Sequence, residues 1–313
     1  MNKIAIIGAG MIGRAWAIVF AKKCEQVVLY DTSNKAIENS ILQISITAQE
    51  LYKLKLLSED PNIFIKKISV TNNLNKAIKD VNYIQECGPE ELKIKKDIFS
   101  KLDELVHKDI AIGSSTSGLK ASSFSEGLKN PERCLVVHPV NPPSLVPLVE
   151  IAPSELTQEK IIKFVYALME KVGQKPIIVK KEIDGFILNR LQGALLNEAF
   201  KLVSKGYVDS YDLDKTVKYG LGLRWSFMGP METIDLNAPG GISDYAKRYG
   251  PIYQNVASEL EAKEWDKSFY EKVEGEQRKI RSLEDNISRQ KWRDKRLMAL
   301  VKHKNESDKL YGK

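Results

Sequence analysis

A histidine and a glutamate twelve residues apart form the pair best suited to proton transfer. His138 ends an apolar run and is followed by prolines, and Glu150 lies in a later apolar run. An imidazole titrates near neutral pH, and a carboxylate on its second ring nitrogen would fix its tautomer. The residues alone equally allow a hydrogen-bonded core histidine and a surface acid, so both interpretations stay open. The other two histidines, His107 and His303, are interpreted as a helix cap and as part of a basic tail.

A glycine-rich turn near the start of the chain could bind a ligand. Gly8, Gly10 and Gly13 have the spacing G-x-G-x-x-G, between an apolar run at 4–7 and an apolar helix from 15. This context is typical of a turn that holds a dinucleotide pyrophosphate at a helix N-terminus. Asp31 ends the next apolar run and can accept hydrogen bonds from the adenosine ribose, which favours NAD over NADP. We therefore predict NAD as the cofactor, with binding residues Gly8, Gly10, Met11, Ile12, Gly13 and Asp31.

Two alternatives to this prediction remain. Lys35 lies near enough to Asp31 to leave NADP use as a minor possibility. The glycines and Asp31 could also form an ordinary turn with a capping aspartate.

The elements that must position these residues alternate between strand and helix up to about residue 180. Strands are predicted at 4–7, 27–30, 68–70, 81–87, 110–112, 134–137, 148–151 and 176–179, with helices at 15–21, 33–57, 74–78, 91–106 and 158–172. This α/β alternation predicts a Rossmann-type, doubly wound, mostly parallel sheet over residues 1–183. From residue 184 the period stays helical, which predicts an all-helical C-terminal domain over 184–313. The segment from Glu264 onward is predicted to be exposed helices with a frayed basic tail.

Composition narrows the classes of function. The chain has 313 residues and a net charge of +7 from scattered lysines, without the aromatic interleaving expected of a nucleic-acid binder. No apolar run approaches a membrane span, and no signal peptide precedes the first strand. Three separated cysteines favour a cytoplasmic location, and no metal site is predicted.

Four motifs together resemble the 3-hydroxyacyl-CoA dehydrogenase superfamily. They are Gly8-x-Gly10-x-x-Gly13, Ser114-Ser-Thr-Ser-Gly-Leu119, His138-Pro-Val-Asn-Pro and Asp184-Gly-Phe-Ile-Leu-Asn189-Arg190, and they run in order along the first 250 or so residues. A closer likeness, to the lambda-crystallin or L-gulonate 3-dehydrogenase group, is carried by Gln85-Glu-Cys-Gly-Pro-Glu90 and Gly222-Leu-Arg-Trp-Ser-Phe-Met-Gly-Pro-Met-Glu232.

The resemblance implies roles for particular residues. His138 would be the catalytic base and Glu150 its partner, while Ser117 and Asn189 would hold the substrate oxygen and the histidine. Glu90 and Lys95, with Ser117, would contact the cofactor at its nicotinamide ribose. Taken singly, Ser117 is better explained as a turn hydroxyl and Asn189 as a helix-surface amide, but their joint presence at family positions favours the functional roles. The chain departs from the acyl-CoA enzymes at Gly118, where they usually carry a second serine.

Arg224 is a candidate substrate ligand. It stands among glycine and aromatic residues, and a guanidinium can bind a carboxylate at two points. A structural ion pair with Glu232 or Asp235 explains the same residue equally well.

These features predict an NAD-dependent enzyme that oxidises the 3-hydroxyl of a small 3-hydroxy carboxylic acid, with L-gulonate favoured. Oxidation of a 3-hydroxyacyl-CoA is the alternative. A non-catalytic, crystallin-type NAD-binding protein is the alternative of another class. The resemblance further implies a homodimer, and no nucleic-acid or membrane partner is predicted.

Overall fold

The computed structural model describes residues 3–260, 267–280 and 282–312. Eight strands form one sheet in the order β3-β2-β1-β4-β5-β6-β7-β8. Neighbouring strands are parallel except β6 and β7, which are antiparallel. The strands are β1 Lys3–Ile7, β2 Gln26–Tyr30, β3 Ile68–Thr71, β4 Tyr83–Glu86, β5 Ala111–Ser114, β6 Cys134–Pro139, β7 Leu148–Pro153 and β8 Lys175–Ile178.

Helices accompany these strands on both faces of the sheet. They are α1 Met11–Ala21, α2 Asn34–Lys53, α3 Pro61–Ile65, α4 Leu74–Ile78, α5 Leu92–Leu105, α6 Ala121–Ser125 and α7 Glu159–Lys171. The helix predicted from residue 33 does begin there, because the Ser33 hydroxyl accepts a hydrogen bond from the Ala36 amide at 3.3 Å. The short helices α3 and α6 are not among the predicted helices.

The sheet separates two hydrophobic cores. Alternate residues of β1 show the division, since Ile4 and Ile6 join the core that contains Trp16, whereas Ala5 joins the core that contains Phe99. A strand covered on both faces is mostly apolar, which explains the apolar runs of the sequence. Because strands β1 to β6 are parallel, their carboxyl ends lie at one edge of the sheet, where ligands bind in such folds.

The chain forms two compact units, one of residues 1–190 with 294–313 and the other of residues 191–293. The later elements are helical: α8 Leu188–Ser204, α9 Ser210–Lys215, a π-helical turn Thr216–Leu221, α10 Gly222–Trp225, α11 Pro230–Leu236, α12 Gly241–Ser258, α13 Lys267–Ile280 and α14 Asn286–Tyr311. The predicted fold class, a Rossmann-type sheet followed by helices, is confirmed. The division at 183/184 remains a prediction.

The C-terminal helix differs from the predicted exposed tail. Glu264, where that tail was predicted to start, lies outside the described residues. On α14, however, Met298 is only 2% exposed and belongs to the same core as Trp16. The charged residues on both sides of the apolar run 297–301 favour an exposed helix, although that run contains the buried Met298. No helix in the described part of the chain has the length and apolar character needed to cross a bilayer.

Candidate active site

The glycine turn between β1 and α1 is shaped by close backbone contacts. Gly8 has φ +115°, and a Cβ there would lie 2.5 Å from the Cys87 carbonyl oxygen. A Cβ on Gly13 would overlap the Gly8 carbonyl oxygen, so helix and strand pack closely only with glycine. A Cβ on Gly10 would meet nothing within 4 Å. The turn is therefore closed on its protein side and open at Gly10, which fits a pyrophosphate approaching the start of α1.

Asp31 lies at the end of β2 beside this turn. Its Oδ2 accepts a hydrogen bond from the Ala9 amide at 2.8 Å, and its Oδ1 accepts one from the Ser33 amide at 2.9 Å. Asp31, Gly10 and Lys101 line a cleft of about 470 Å³. The carboxylate therefore both orders the glycine turn and faces a space of suitable size for the adenosine part of a dinucleotide.

Met11 and Ile12 continue the turn into the first residues of α1. The Met11 side chain is 53% exposed, whereas Ile12 is half-buried against the core. The Asn141 amide donates a hydrogen bond to the Met11 sulfur at 3.4 Å. Asn141 follows β6, so this contact joins the end of the His138 strand to the dinucleotide turn.

His138 and Glu150 are paired across the antiparallel strands β6 and β7. They lie opposite each other in the register, and His138 Nδ1 is 2.8 Å from Glu150 Oε2. Both residues are buried, with His138 5% exposed and Glu150 fully buried. Of the two interpretations that the sequence left open, the surface acid is wrong, since Glu150 has no exposed surface.

The charge of Glu150 determines which nitrogen of His138 carries the proton. Burial alone would raise the pKa of Glu150, but hydrogen bonds from His138, Leu188 and Ile187 together outweigh burial and hold this pKa below its ordinary value. An ionised carboxylate can only accept, so Nδ1 of His138 must donate. This tautomer leaves a lone pair on Nε2, the atom that a general base needs.

The loop before α8 supplies two further donors to Glu150. Gly185 has φ +75° and Phe186 has φ +50°, and the backbone then presents the Ile187 and Leu188 amides to Glu150 Oε1, each at 2.9 Å. A phenylalanine in the left-handed region is strained. Its ring is buried and lies 5.4 Å from the imidazole, centroid to centroid. Phe186 was not predicted as a site residue, although it stands in the motif at residues 184–190.

Ser117 and Asn189 are brought together. The Asn189 side-chain amide donates to the Ser117 carbonyl oxygen at 2.8 Å, and the Ser117 side chain is exposed. Ser117 follows β5 at the carboxyl edge of the sheet, and Asn189 lies one residue beyond the amides that bind Glu150. Asn189 therefore belongs to the same chain segment that binds Glu150, and it links that segment to the Ser117 loop.

Glu90 and Lys95 lie beside the Ser117 loop but differ in exposure. Glu90 accepts hydrogen bonds from the Ser117 and Gly118 amides at 2.9 and 3.1 Å. The Lys95 ammonium is 1% exposed, 3.0 Å from Glu86 Oε2 and 3.7 Å from Glu90 Oε2. The sequence analysis did not select Glu86 as a site residue, although its carboxylate is buried at the end of β4. Contact of Glu90 and Lys95 with a nicotinamide ribose remains a prediction.

Arg224 lies on α10 in the second compact unit and is half-buried. Its neighbours Leu223 and Phe227 are 63% and 72% exposed, so the enclosed apolar setting suggested by the sequence is not observed. No carboxylate among the described residues forms an ion pair with Arg224, and this includes Glu232 and Asp235. Its role toward a substrate remains a prediction. The described residues also contain no cluster of three or more histidine, cysteine or acidic side chains able to hold a metal.

Two family descriptions match almost the whole chain. The one described as 3-hydroxyacyl-CoA dehydrogenase, NAD binding domain, matches residues 3–183, and the one described as 3-hydroxyacyl-CoA dehydrogenase, C-terminal domain, matches residues 185–279. The chain belongs to the 3-hydroxyacyl-CoA dehydrogenase family. It is an NAD-dependent dehydrogenase, as the sequence motifs predicted.

Individual relatives extend this classification. A human lambda-crystallin homolog is 38% identical over 97% of this chain and 96% of its own length. An L-carnitine dehydrogenase of Oceanobacillus iheyensis is 36% identical over 87% of this chain and 88% of its own length. The crystal structure of a 3-hydroxyacyl-CoA dehydrogenase from Archaeoglobus fulgidus has a TM-score of 0.70 and 30% identity, and the match covers 88% of this chain and 87% of that one.

Proposed function

We propose that this enzyme catalyses the reversible NAD-linked oxidation of the 3-hydroxyl of a small 3-hydroxy carboxylic acid, with L-gulonate as the favoured substrate. The observation that carries the proposal is the buried His138–Glu150 pair, whose nitrogen and oxygen are 2.8 Å apart at the same sheet edge as the dinucleotide turn. A buried, oriented imidazole with a free Nε2 lone pair is suited to remove a hydroxyl proton.

The roles of the site residues follow from their positions. His138 Nε2 takes the hydroxyl proton while Glu150 stabilises the resulting imidazolium through Nδ1. The exposed Ser117 hydroxyl and the Asn189 amide position the substrate oxygen near the imidazole. When bound, NAD supplies the acceptor for the electron pair and hydrogen that leave the carbinol carbon. Gly8, Gly10, Met11, Ile12, Gly13 and Asp31 would hold its adenosine diphosphate part, and Glu90 and Lys95 its nicotinamide ribose.

A free carboxylic acid is supported as the substrate by two observations. L-carnitine, named as the substrate of one relative, is itself a small 3-hydroxy carboxylate. Arg224 has no ion-pair partner among the described acids, so its guanidinium is available to a substrate carboxylate. The proposal assigns Arg224 that role.

A 3-hydroxyacyl-CoA is the second candidate, because the matching family descriptions and the Archaeoglobus fulgidus enzyme carry that name. The chemistry at His138 would be the same, and the substrate would carry a CoA thioester in place of the free carboxylate. A homodimer in the cytoplasm is proposed as well, from the resemblance and the cysteine usage respectively.

A substrate panel tests the proposal. NADH formation is measured with L-gulonate, L-carnitine, 3-hydroxybutyrate and 3-hydroxybutyryl-CoA, with the His138→Gln variant as the blank. The highest kcat/KM is expected with L-gulonate and the lowest with the thioester. A highest kcat/KM with 3-hydroxybutyryl-CoA would replace the proposal by the acyl-CoA alternative, and activity with none of the four would contradict both.

A further inference from the structure

Residues 114–118, the last residue of β5 and the loop after it, form hydrogen bonds with the end of the neighbouring strand β4. The Ser115 amide donates to the Glu86 carbonyl oxygen at 2.8 Å, and the Gln85 side-chain amide donates to the Ser115 hydroxyl at 2.7 Å. Glu86 Oε2 also accepts a hydrogen bond from the Ser114 hydroxyl. The motif at residues 85–90, which marked the closer resemblance in the sequence, therefore faces the loop that carries Ser117.

Glu90 completes this set of contacts. A single oxygen, Oε1, accepts hydrogen bonds from the Ser117 and Gly118 amides and from the Thr116 hydroxyl. The Ser117 carbonyl oxygen is held in turn by Asn189. The backbone on both sides of the Ser117 side chain is therefore fixed, although that side chain is exposed.

Thr116 is buried and takes part in several of these hydrogen bonds. It has no exposed surface, so neither a substrate nor a cofactor can touch it. Its hydroxyl donates to Glu90, and its oxygen accepts hydrogen bonds from the Leu119 amide at 2.9 Å and the Gly118 amide at 3.4 Å. One hydroxyl group thus links the carboxylate to the backbone on the far side of Ser117.

The Lys95 ammonium lies next to the carboxylates of Glu86 and Glu90. Its nitrogen lies 3.1 and 3.0 Å from the two oxygens of Glu86 and 3.7 Å from Glu90 Oε2. A cation between two carboxylates offsets their mutual repulsion, and burial strengthens this effect.

We infer that Thr116 is a positioning residue of this enzyme, which acts through Glu90 to set the backbone that aims the Ser117 hydroxyl at the substrate oxygen. The inference rests on the proposed role of Ser117. It assigns the Gln85–Glu90 motif to the support of the Ser117 loop, in addition to any contact with the cofactor.

The test compares Thr116→Val, which keeps the shape but lacks the hydroxyl, with Thr116→Ser, which keeps the hydroxyl. The Val variant is expected to have a kcat roughly tenfold lower with L-gulonate and with 3-hydroxybutyryl-CoA, since a hydrogen bond to a charged group is lost. Its Kd for NADH is expected to stay unchanged, and the Ser variant is expected to recover most of the lost kcat. Assays are run well below the Tm of each variant, so that all molecules are folded.

The same pair of variants is then made in a Ser117→Ala background. If Thr116 acts through Ser117, the valine exchange should cause little further loss there, because the two effects are not additive. An equal loss of kcat in both backgrounds, or a lower Tm with unchanged kcat, would overturn the inference. A Ser117→Ala variant with wild-type kcat would instead show that the proposed role of Ser117 is wrong.

Discussion

Glu150 lies directly opposite His138 in the β6–β7 register, and one of its oxygens is 2.8 Å from the imidazole Nδ1. Its other oxygen accepts hydrogen bonds from the Ile187 and Leu188 amides at the start of α8. One buried carboxylate therefore orients the proposed base and also anchors the helix that carries Asn189. The two functions can be separated experimentally because they use different oxygens.

Replacing Glu150 with glutamine is expected to impair catalysis more than binding. If the glutamine oxygen keeps the hydrogen bonds from the Ile187 and Leu188 amides, the glutamine NH₂ group faces His138 Nδ1. Nδ1 must then accept a hydrogen bond instead of donating one. The imidazole proton would move to Nε2, where it blocks the proposed base. We expect kcat to fall roughly 10²–10⁴-fold with little change in the Kd for NADH.

The double variant His138→Gln, Glu150→Gln provides the control for this prediction. The losses should not add, because the two residues act as a unit. Losses that multiply would indicate that Glu150 acts independently of His138.

Acid pH is expected to remove part of the stability that Glu150 contributes. The pKa of Glu150 is lower in the folded chain than its ordinary value of 4.5, so ionisation favours the folded state. The contribution is complete above pH 4.5 and is lost as the pH falls through the lower folded pKa. The wild type should therefore lose its advantage in free energy of unfolding over Glu150→Gln as the pH falls through that acid range.

Denaturant unfolding at a series of pH values measures this difference, with Glu159→Gln as the control. A hydrogen bond and the charge of Lys163 lower the pKa of Glu159, but that pair is exposed and its effect should be small. A Glu150→Gln difference that stays constant across the acid range would contradict the prediction.

Exchange of Asp31 for serine is expected to reduce the preference for NAD over NADP. The carboxylate faces the dinucleotide cleft and repels a 2′-phosphate, and it also orders the turn through the Ala9 amide. The KM for NAD should rise while that for NADP changes less, and Asp60→Ser, an aspartate that caps α3, is the matched control. Equal use of the two cofactors by the unaltered enzyme would point to Lys35 or another residue instead.

Arg224→Lys separates the two substrate classes. An ammonium cannot reproduce a planar two-point contact, so the KM for L-gulonate should rise roughly ten- to a hundredfold, and that for 3-hydroxybutyryl-CoA much less. Arg248→Lys, an exchange at a surface arginine paired with Asp244, is the control. An unchanged KM with a markedly lower Tm would make Arg224 a structural residue and leave the carboxylate proposal without this support.

The parts of the fold that follow simple periodicity could be predicted from the sequence. Strands buried on both faces are mostly apolar, so their positions follow from the apolar runs. Gly8 and Gly13 occupy positions where a side chain would clash with the backbone, so the dinucleotide turn was recognisable. The pairing of His138 with Glu150 was an expectation that the register of β6 and β7 explains.

The remaining features depend on contacts that periodicity does not encode. Among these features are the positive φ of Phe186 and the burial of Lys95 beside Glu86. Likewise, the apolar run 297–301 lies between charged segments, and the sequence alone does not show that Met298 in this run enters the core. Patterns of residue type indicate which positions are apolar, but not which polar side chains become enclosed.

The most direct test of the account is the turnover of the His138→Gln variant. With L-gulonate and NAD, kcat should fall roughly 10²–10⁴-fold, since the proton acceptor is lost. The Kd for NADH should remain that of the wild type, and His107→Gln, at an exposed histidine, should keep full activity. Wild-type turnover by His138→Gln would contradict the assignment of the base and, with it, the proposed mechanism.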